Sequence, residues 1–147
     1  MRRNKPQGWF NTWKRLRLER DAKEAFPDLV GGATAPWPDG EIVYRVTVHV
    51  ADYGPQSVRV HFPNLTKILL PSVFLDQDLA SPHRYRGGSL CIWDPDDVAE
   101  RKWHPGEGLK VLLEMVAVHL FKEGWWRETG EWLGDQHVNE PDKERAA

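Results

Sequence analysis

Apolar and polar positions alternate most regularly in the first half of the chain. Across residues 41–50, Ile42, Tyr44, Val46, Val48 and Val50 fall on one side and Val43, Arg45, Thr47 and His49 on the other. That period of two is the pattern of a half-buried strand. Asp52-Tyr53-Gly54-Pro55 is a turn sequence, and residues 57–62 then alternate again with Val58, Val60 and Phe62 inward. Pro63-Asn64 ends that run. A third apolar run, residues 68–75, contains Pro71, which suits an edge or irregular strand. Three strands with short connections predict an antiparallel meander.

Two segments carry a helical period instead. Residues 8–26 place Trp9, Trp13, Leu16 and Arg20 on one stripe with Phe10 and Arg17 beside it, and Pro27 ends the pattern. Residues 31–40, GGATAPWPDG, read as loop. The second helix opens at Pro105, a good first-turn residue, with His104 as its cap. Leu109, Leu112, Leu113, Val116 and Leu120 form its buried stripe, widened by Val111, Met115 and Val118, and Gly124 is its predicted stop. His119, on this helix, is expected to be a hydrogen-bonded core residue rather than a ligand. Residues 76–105 show no regular period, and an ordered irregular segment of that length in a small domain is often functional. The order predicts an α+β domain: N-terminal helix, antiparallel β-meander, irregular segment, buried central helix. Residues 1–137 read as a single domain and 138–147 as a flexible polar tail.

Composition narrows the class. The chain has 147 residues, 40% hydrophobic and 29% charged, as expected of one soluble globular domain. A net charge of −2 carries no overall nucleic-acid signature. From Met1 to Leu18, however, the only charged side chains are basic: Arg2, Arg3, Lys5, Lys14, Arg15 and Arg17. Such an end fits an acidic partner surface or nucleic acid, and equally a solvated helix face. Eight tryptophans cluster towards both ends and around Cys91. Most suit a core or a docked terminus, but Trp125 and Trp126 are adjacent and cannot share one helix face. No apolar run follows the basic N-terminus as in a secretory signal, and residues 111–121 are too short to span a bilayer. A cytoplasmic location follows as the expectation.

Cys91, the only cysteine, lies within the irregular segment, in SPHRYRGGSLCIWDP. A lone cysteine excludes an internal disulfide and any zinc site needing two thiolates from this chain. Three roles stay open: small apolar filler, metal ligand or nucleophile. The spacing of His83, Cys91, Asp94 and His104 fits no common zinc pattern, so no metal is expected. A redox sensor usually has a resolving cysteine, and there is none. A place among glycines, off any strand or helix stripe, favours reactivity over packing.

This order of elements, with these residues, resembles the ubiquitin-conjugating enzyme family. Ser81-Pro82-His83 stands where the family has His-Pro-Asn, Gly88 matches its loop glycine, Leu90 its aliphatic residue and Cys91 its nucleophile. Trp103-His104-Pro105 matches a Trp-Ser-Pro that opens the helix behind the active site, and Leu70-Pro71-Ser72-Val73 a Pro-Lys-Val in the third strand. The resemblance spans residues 41–122. It departs from the common pattern at Ser81 and His83, and in a Trp-rich stretch, residues 125–132, in place of the C-terminal helices. Both departures resemble the bacterial branch found in antiphage operons of the cyclic-oligonucleotide-based (CBASS) or a related type.

The resemblance implies a ubiquitin-conjugating-like fold and a cysteine-dependent acyl transferase. Cys91 would carry an acyl thioester and pass it to a target amine, with no metal and no cofactor. His83, in the asparagine's place, would donate to the oxyanion or brace the loop. Asp94 would orient the incoming amine, although Asp94-Pro95-Asp96-Asp97 is also a good turn sequence. Lys14, Arg15 and Arg17 on the first helix would form a partner-binding face for an activating enzyme. Implied partners are a ubiquitin-like modifier or a cGAS-like nucleotidyltransferase, with no membrane and no direct nucleic acid. The alternative is a non-catalytic member of the same fold that scaffolds a partner protein.

Overall fold

The computed structural model describes residues 13–35, 40–63, 70–93 and 102–134. Residues 138–147, read above as a tail, and the helical pattern before Trp13 lie outside them. Helix α1 spans Trp13–Ala25; strands β1 (Val30–Ala33), β2 (Ile42–Val50), β3 (Gly54–Phe62) and β4 (Ser72–Leu75) follow; a 3-10 turn, Pro105–Glu107, leads into helix α2 (Gly108–Thr129). The strands form one antiparallel sheet in the order β1-β2-β3-β4. The domain is α+β, as the periodicities predict, with α2 packed on β2 and on α1.

The two central strands form as their alternation requires. Ile42, Tyr44, Val46, Val48 and Val50 are buried on β2, and Val58, Val60 and Phe62 on β3. Against them α2 lays Leu109, Leu112, Leu113, Val116 and Leu120, all fully buried. The β2–β3 connection is tighter than the sequence suggests. Val50 already pairs with Gly54, and the turn places Asp52 at φ 66°, a left-handed conformation that aspartate tolerates. β4 forms directly after Pro71 and lies at a sheet edge.

Five expectations need correction. Residues 30–33 are not loop: they pair with β2 as an edge strand, hidden from a pattern search because Val-Gly-Gly-Ala alternates nothing. Gly31 serves a purpose there, since a β-carbon at that position would overlap the Tyr44 ring. On α1 the buried face is not that of Leu16 and Arg20. Leu16 is 68% exposed, whereas Leu18, Glu19 and Ala22 face inward. The helix is turned by a polar contact: the Tyr44 hydroxyl donates to Glu19 Oε2 at 2.6 Å, and Arg15 Nε donates to the same oxygen at 2.7 Å. Burial, then Glu19, push the Tyr44 phenol well above its ordinary pKa, so it stays a donor. On α2, Val118 does not widen the apolar stripe but is 56% exposed.

The last two corrections concern the ends of α2. The helix runs through Gly124 to Thr129 and ends at Gly130, whose φ of 80° is the left-handed cap conformation. Gly124 is a glycine for a different reason: a β-carbon there would lie 2.6 Å from Tyr53 Cδ2. Tyr53 lies against the helix, and its hydroxyl donates to Glu128 at 2.9 Å. Trp125 and Trp126 therefore belong to the helix. At the other end, His104 caps the 3-10 turn rather than α2 itself, whose cap is Glu107, and the His104 backbone N–H donates to Glu107 Oε1 at 3.1 Å.

Helix propensity alone predicts that Gly124→Ala gains about 1 kcal/mol. The Tyr53 contact predicts the opposite sign, a loss of about 1–3 kcal/mol, as overpacking gives in a filled site. Urea unfolding of the variant beside the wild type decides between the two.

Candidate functional site

Cys91 ends a small hairpin that hangs beside β4. The Leu90 N–H donates to Val73 O at 2.7 Å, tying the hairpin to the sheet edge. Arg84 and Leu90 form an antiparallel bridge, Tyr85 N–H donates to Ser89 O at 2.9 Å, and Gly88 N–H closes the turn on Tyr85 O at 2.8 Å. Gly88 has φ 95°, which only glycine adopts without strain. The Cys91 N–H donates to His83 O at 3.1 Å. The backbone on either side of the turn is thus held by hydrogen bonds, while Cys91 stays partly exposed. Its Sγ is 3.8 Å from Trp93 O, a weak contact, and the same carbonyl accepts from the Tyr85 hydroxyl at 2.8 Å.

His83 is placed beside Cys91 through the backbone. Its N–H donates to Ser81 Oγ at 3.1 Å, and its ring, 6% exposed as a residue, lies with its centroid 4.2 Å from that of Trp132. Trp132 therefore packs inward, against the hairpin and against His119 at 5.5 Å between centroids. Asp94 and the side chain of Lys14 lie outside the described residues. Arg15 faces the core: it is engaged with Glu19 and Tyr44, and reaches the Gly31 carbonyl at 3.5 Å. Arg17 is exposed on the same helix. Arg15 and Arg17 thus do not share one common face.

The geometry adds a residue that sequence reasoning passed over. Glu123, on α2, has no exposed surface. Arg84 grips it from the hairpin with two bonds, Nη2 to Oε1 at 2.6 Å and Nε to Oε2 at 2.8 Å. His119 Nε2 lies 3.1 Å from Oε2, one turn back on the helix. Arg127, one turn on, approaches Oε1 at 3.8 Å and donates to the Ala80 carbonyl at 2.9 Å. A signal was present in the sequence. Glu123 continues the stripe of Leu109, Leu112, Val116 and His119, and a carboxylate on a buried stripe requires a partner.

Among the described residues, no three His, Cys, Asp or Glu side chains gather as metal ligands. A groove of about 450 Å³ crosses β1, β2 and β3, lined by residues that include Gly31, Glu41, Arg45, Arg59 and His61, and takes none of its walls from the hairpin.

Burial by itself would raise the Glu123 pKa. The hydrogen bonds from Arg84 and His119 outweigh it and hold the carboxyl down to about 2. A pKa lower folded than unfolded stabilises the fold above the unfolded value, and the benefit is lost as pH falls towards the folded one. Glu123→Gln should therefore cost about 3 kcal/mol at neutral pH. The gap from wild type should narrow as pH falls below about 4.5, the ordinary carboxyl value, towards 2. Urea titrations of both proteins at pH 7 and pH 3 test this; a gap independent of pH would rule out the ionised carboxylate as its source.

A comparison with protein families accords with this geometry. Residues 27–140 match the family described as type II CBASS E2 protein. No curated protein and no solved structure matches the chain significantly. The matched span begins just after α1 and takes in the whole sheet, the Cys91 hairpin and α2. Since that span is well over half of the sequence, the chain belongs to the type II CBASS E2 family.

Proposed function

We propose that this protein is the conjugating enzyme of a CBASS defence system, has a ubiquitin-conjugating-like fold, and carries an acyl thioester on Cys91. The observation that carries the reading is the hairpin. The only thiol of the chain stands partly exposed at the end of a hairpin held by the backbone N–H groups of Tyr85, Gly88, Leu90 and Cys91, off every apolar stripe. A structural cysteine has no need of that support, whereas a nucleophile does.

The chemistry follows from the residues. The Cys91 thiolate attacks the carbonyl of an incoming activated acyl group, and the tetrahedral intermediate collapses by expelling the donor's leaving group. An amine of the target then attacks the Cys91 thioester. It loses a proton, an amide forms, and the Cys91 thiolate is released. The acyl group is the C-terminus of a ubiquitin-like modifier or of the cGAS-like nucleotidyltransferase itself. The Gly87-Gly88 turn leaves room beside Cys91 for such an extended tail.

His83 takes the bracing role of the two open to it. Its ring is packed against Trp132 and its carbonyl holds the Cys91 N–H, so it fixes the loop rather than serving the oxyanion. Asp94, three residues beyond Cys91, is assigned the orientation of the attacking amine. With Arg15 committed to Glu19 and Tyr44, a docking face for an activating enzyme on α1 rests on Arg17 and Lys14.

The test is intact mass of the purified protein mixed with its genomic neighbours and ATP. Wild type should gain the mass of one neighbour less a water, an adduct removed by a thiol reductant, and Cys91→Ala should gain none. A stable complex that survives Cys91→Ala, with no adduct on wild type, would instead make the chain a scaffold.

A further inference from the structure

We infer that Glu123 is the positioning residue of the Cys91 hairpin: it holds the nucleophile's backbone from α2 through Arg84 and has no contact with the reacting atoms. The assignment of a chemical role to Glu123 rests on the thioester reading; the mechanical role does not. Four observations carry it. Arg84 is bridged directly to Leu90, the residue before Cys91, so its guanidinium is a handle on the hairpin. That handle is held by two short bonds to one carboxylate, which fixes orientation as well as distance. The carboxylate has no access to water, so neither oxygen has solvent as a substitute partner. Finally, Glu123 also approaches Arg127, which anchors Ala80 at the entrance of the same segment. One side chain on α2 thus holds the segment both at its entry and within its hairpin.

A rigid backbone matters for the transfer step because reacting atoms must be held in line within a fraction of an ångström. Loosening the hairpin should slow the step at saturating donor while leaving donor binding nearly unchanged. Loss of a side chain that serves stability alone would leave that rate unchanged at matched stability.

The experiment uses the full chain with Glu123→Gln, and with Arg84→Lys, which keeps the charge but loses the two-pronged grip. Gly124→Ala serves as a control that lowers stability next door with the Arg84–Glu123 pair intact. Hydrogen exchange by mass spectrometry reports peptides covering residues 83–93. At matched global stability, set with urea, Glu123→Gln should lower protection of this peptide by about ten-fold relative to the control. Arg84→Lys should act in the same direction and less. The single-turnover rate of adduct formation on Cys91 should fall by about ten-fold in Glu123→Gln, with the half-saturating donor concentration within about two-fold of wild type. Equal protection in Glu123→Gln and the control would overturn the proposal, whichever way the rates move. Lowered protection with an unchanged rate would remove Glu123 from the chemistry and leave it a brace. If wild type forms no adduct, the thioester reading falls, while the exchange comparison still decides whether Glu123 holds the hairpin.

Discussion

A carboxylate without access to water is the constraint on which this structure turns. Glu123 sits in the apolar stripe of α2, where an unpaired charge would be strongly destabilising. It is tolerated because Arg84 and His119 are brought to it. Arg84 comes from a segment with no regular secondary structure, so satisfying Glu123 dictates where that segment runs. A leucine at this position would bury as well, but it would accept many arrangements of the hairpin. The ion pair accepts one. Breaking such a pair leaves a buried charge without its partner, so the geometry that satisfies Glu123 is the one the hairpin keeps.

A second carboxylate does the same work at the other helix. Glu19 receives the Tyr44 hydroxyl and Arg15, and so sets the rotation of α1 on the sheet. Gly31 makes this possible by letting the Tyr44 ring lie across β1. The apolar contacts between α2 and the sheet are non-directional and could accommodate a slide or a turn. The two polar clusters remove that freedom.

What was legible in the sequence divides along the same line. The strands β2 and β3 and the stripe of α2 could be read because apolar burial imposes a period of 2 or 3.6, which shows in one dimension. Cys91 was legible because it stands outside any such period. β1 was not, because two of its four residues are glycines, one of which, Gly31, admits the Tyr44 ring from another strand. Gly124 was misread as a stop because a glycine chosen for a close neighbour looks the same in sequence as one chosen for a left-handed backbone. Leu16 was given to the core because α1 is oriented by Arg15 and Glu19, and a hydrophobic pattern gives polar contacts no weight. Glu123 was the largest omission. Its position on the stripe was visible, but its partner lies 39 residues away, in a segment without periodicity.

On the thioester reading proposed for Cys91, the hairpin separates two demands that conflict in a nucleophile. Its backbone must be fixed, and its side chain must stay free to attack, be acylated and leave. Strong contacts to the thiol would serve the first demand at the expense of the second, since each would be broken at every turnover. Here the backbone carries the restraint: Leu90 on Val73, Cys91 on His83, and Arg84 on Glu123. Among the described residues the thiol has the weak approach to the Trp93 carbonyl, and that carbonyl already accepts a stronger bond from Tyr85. Trp132 extends the same logic. It braces His83 from behind, through ring contact rather than through the thiol, so the Trp-rich end of the chain supports the loop from within. Restraint thus reaches the hairpin from β4 through Val73, and from α2 and its C-terminal continuation through Glu123 and Trp132. On the proposed reading, those restraints leave the partly exposed thiol itself to whatever brings the acyl group.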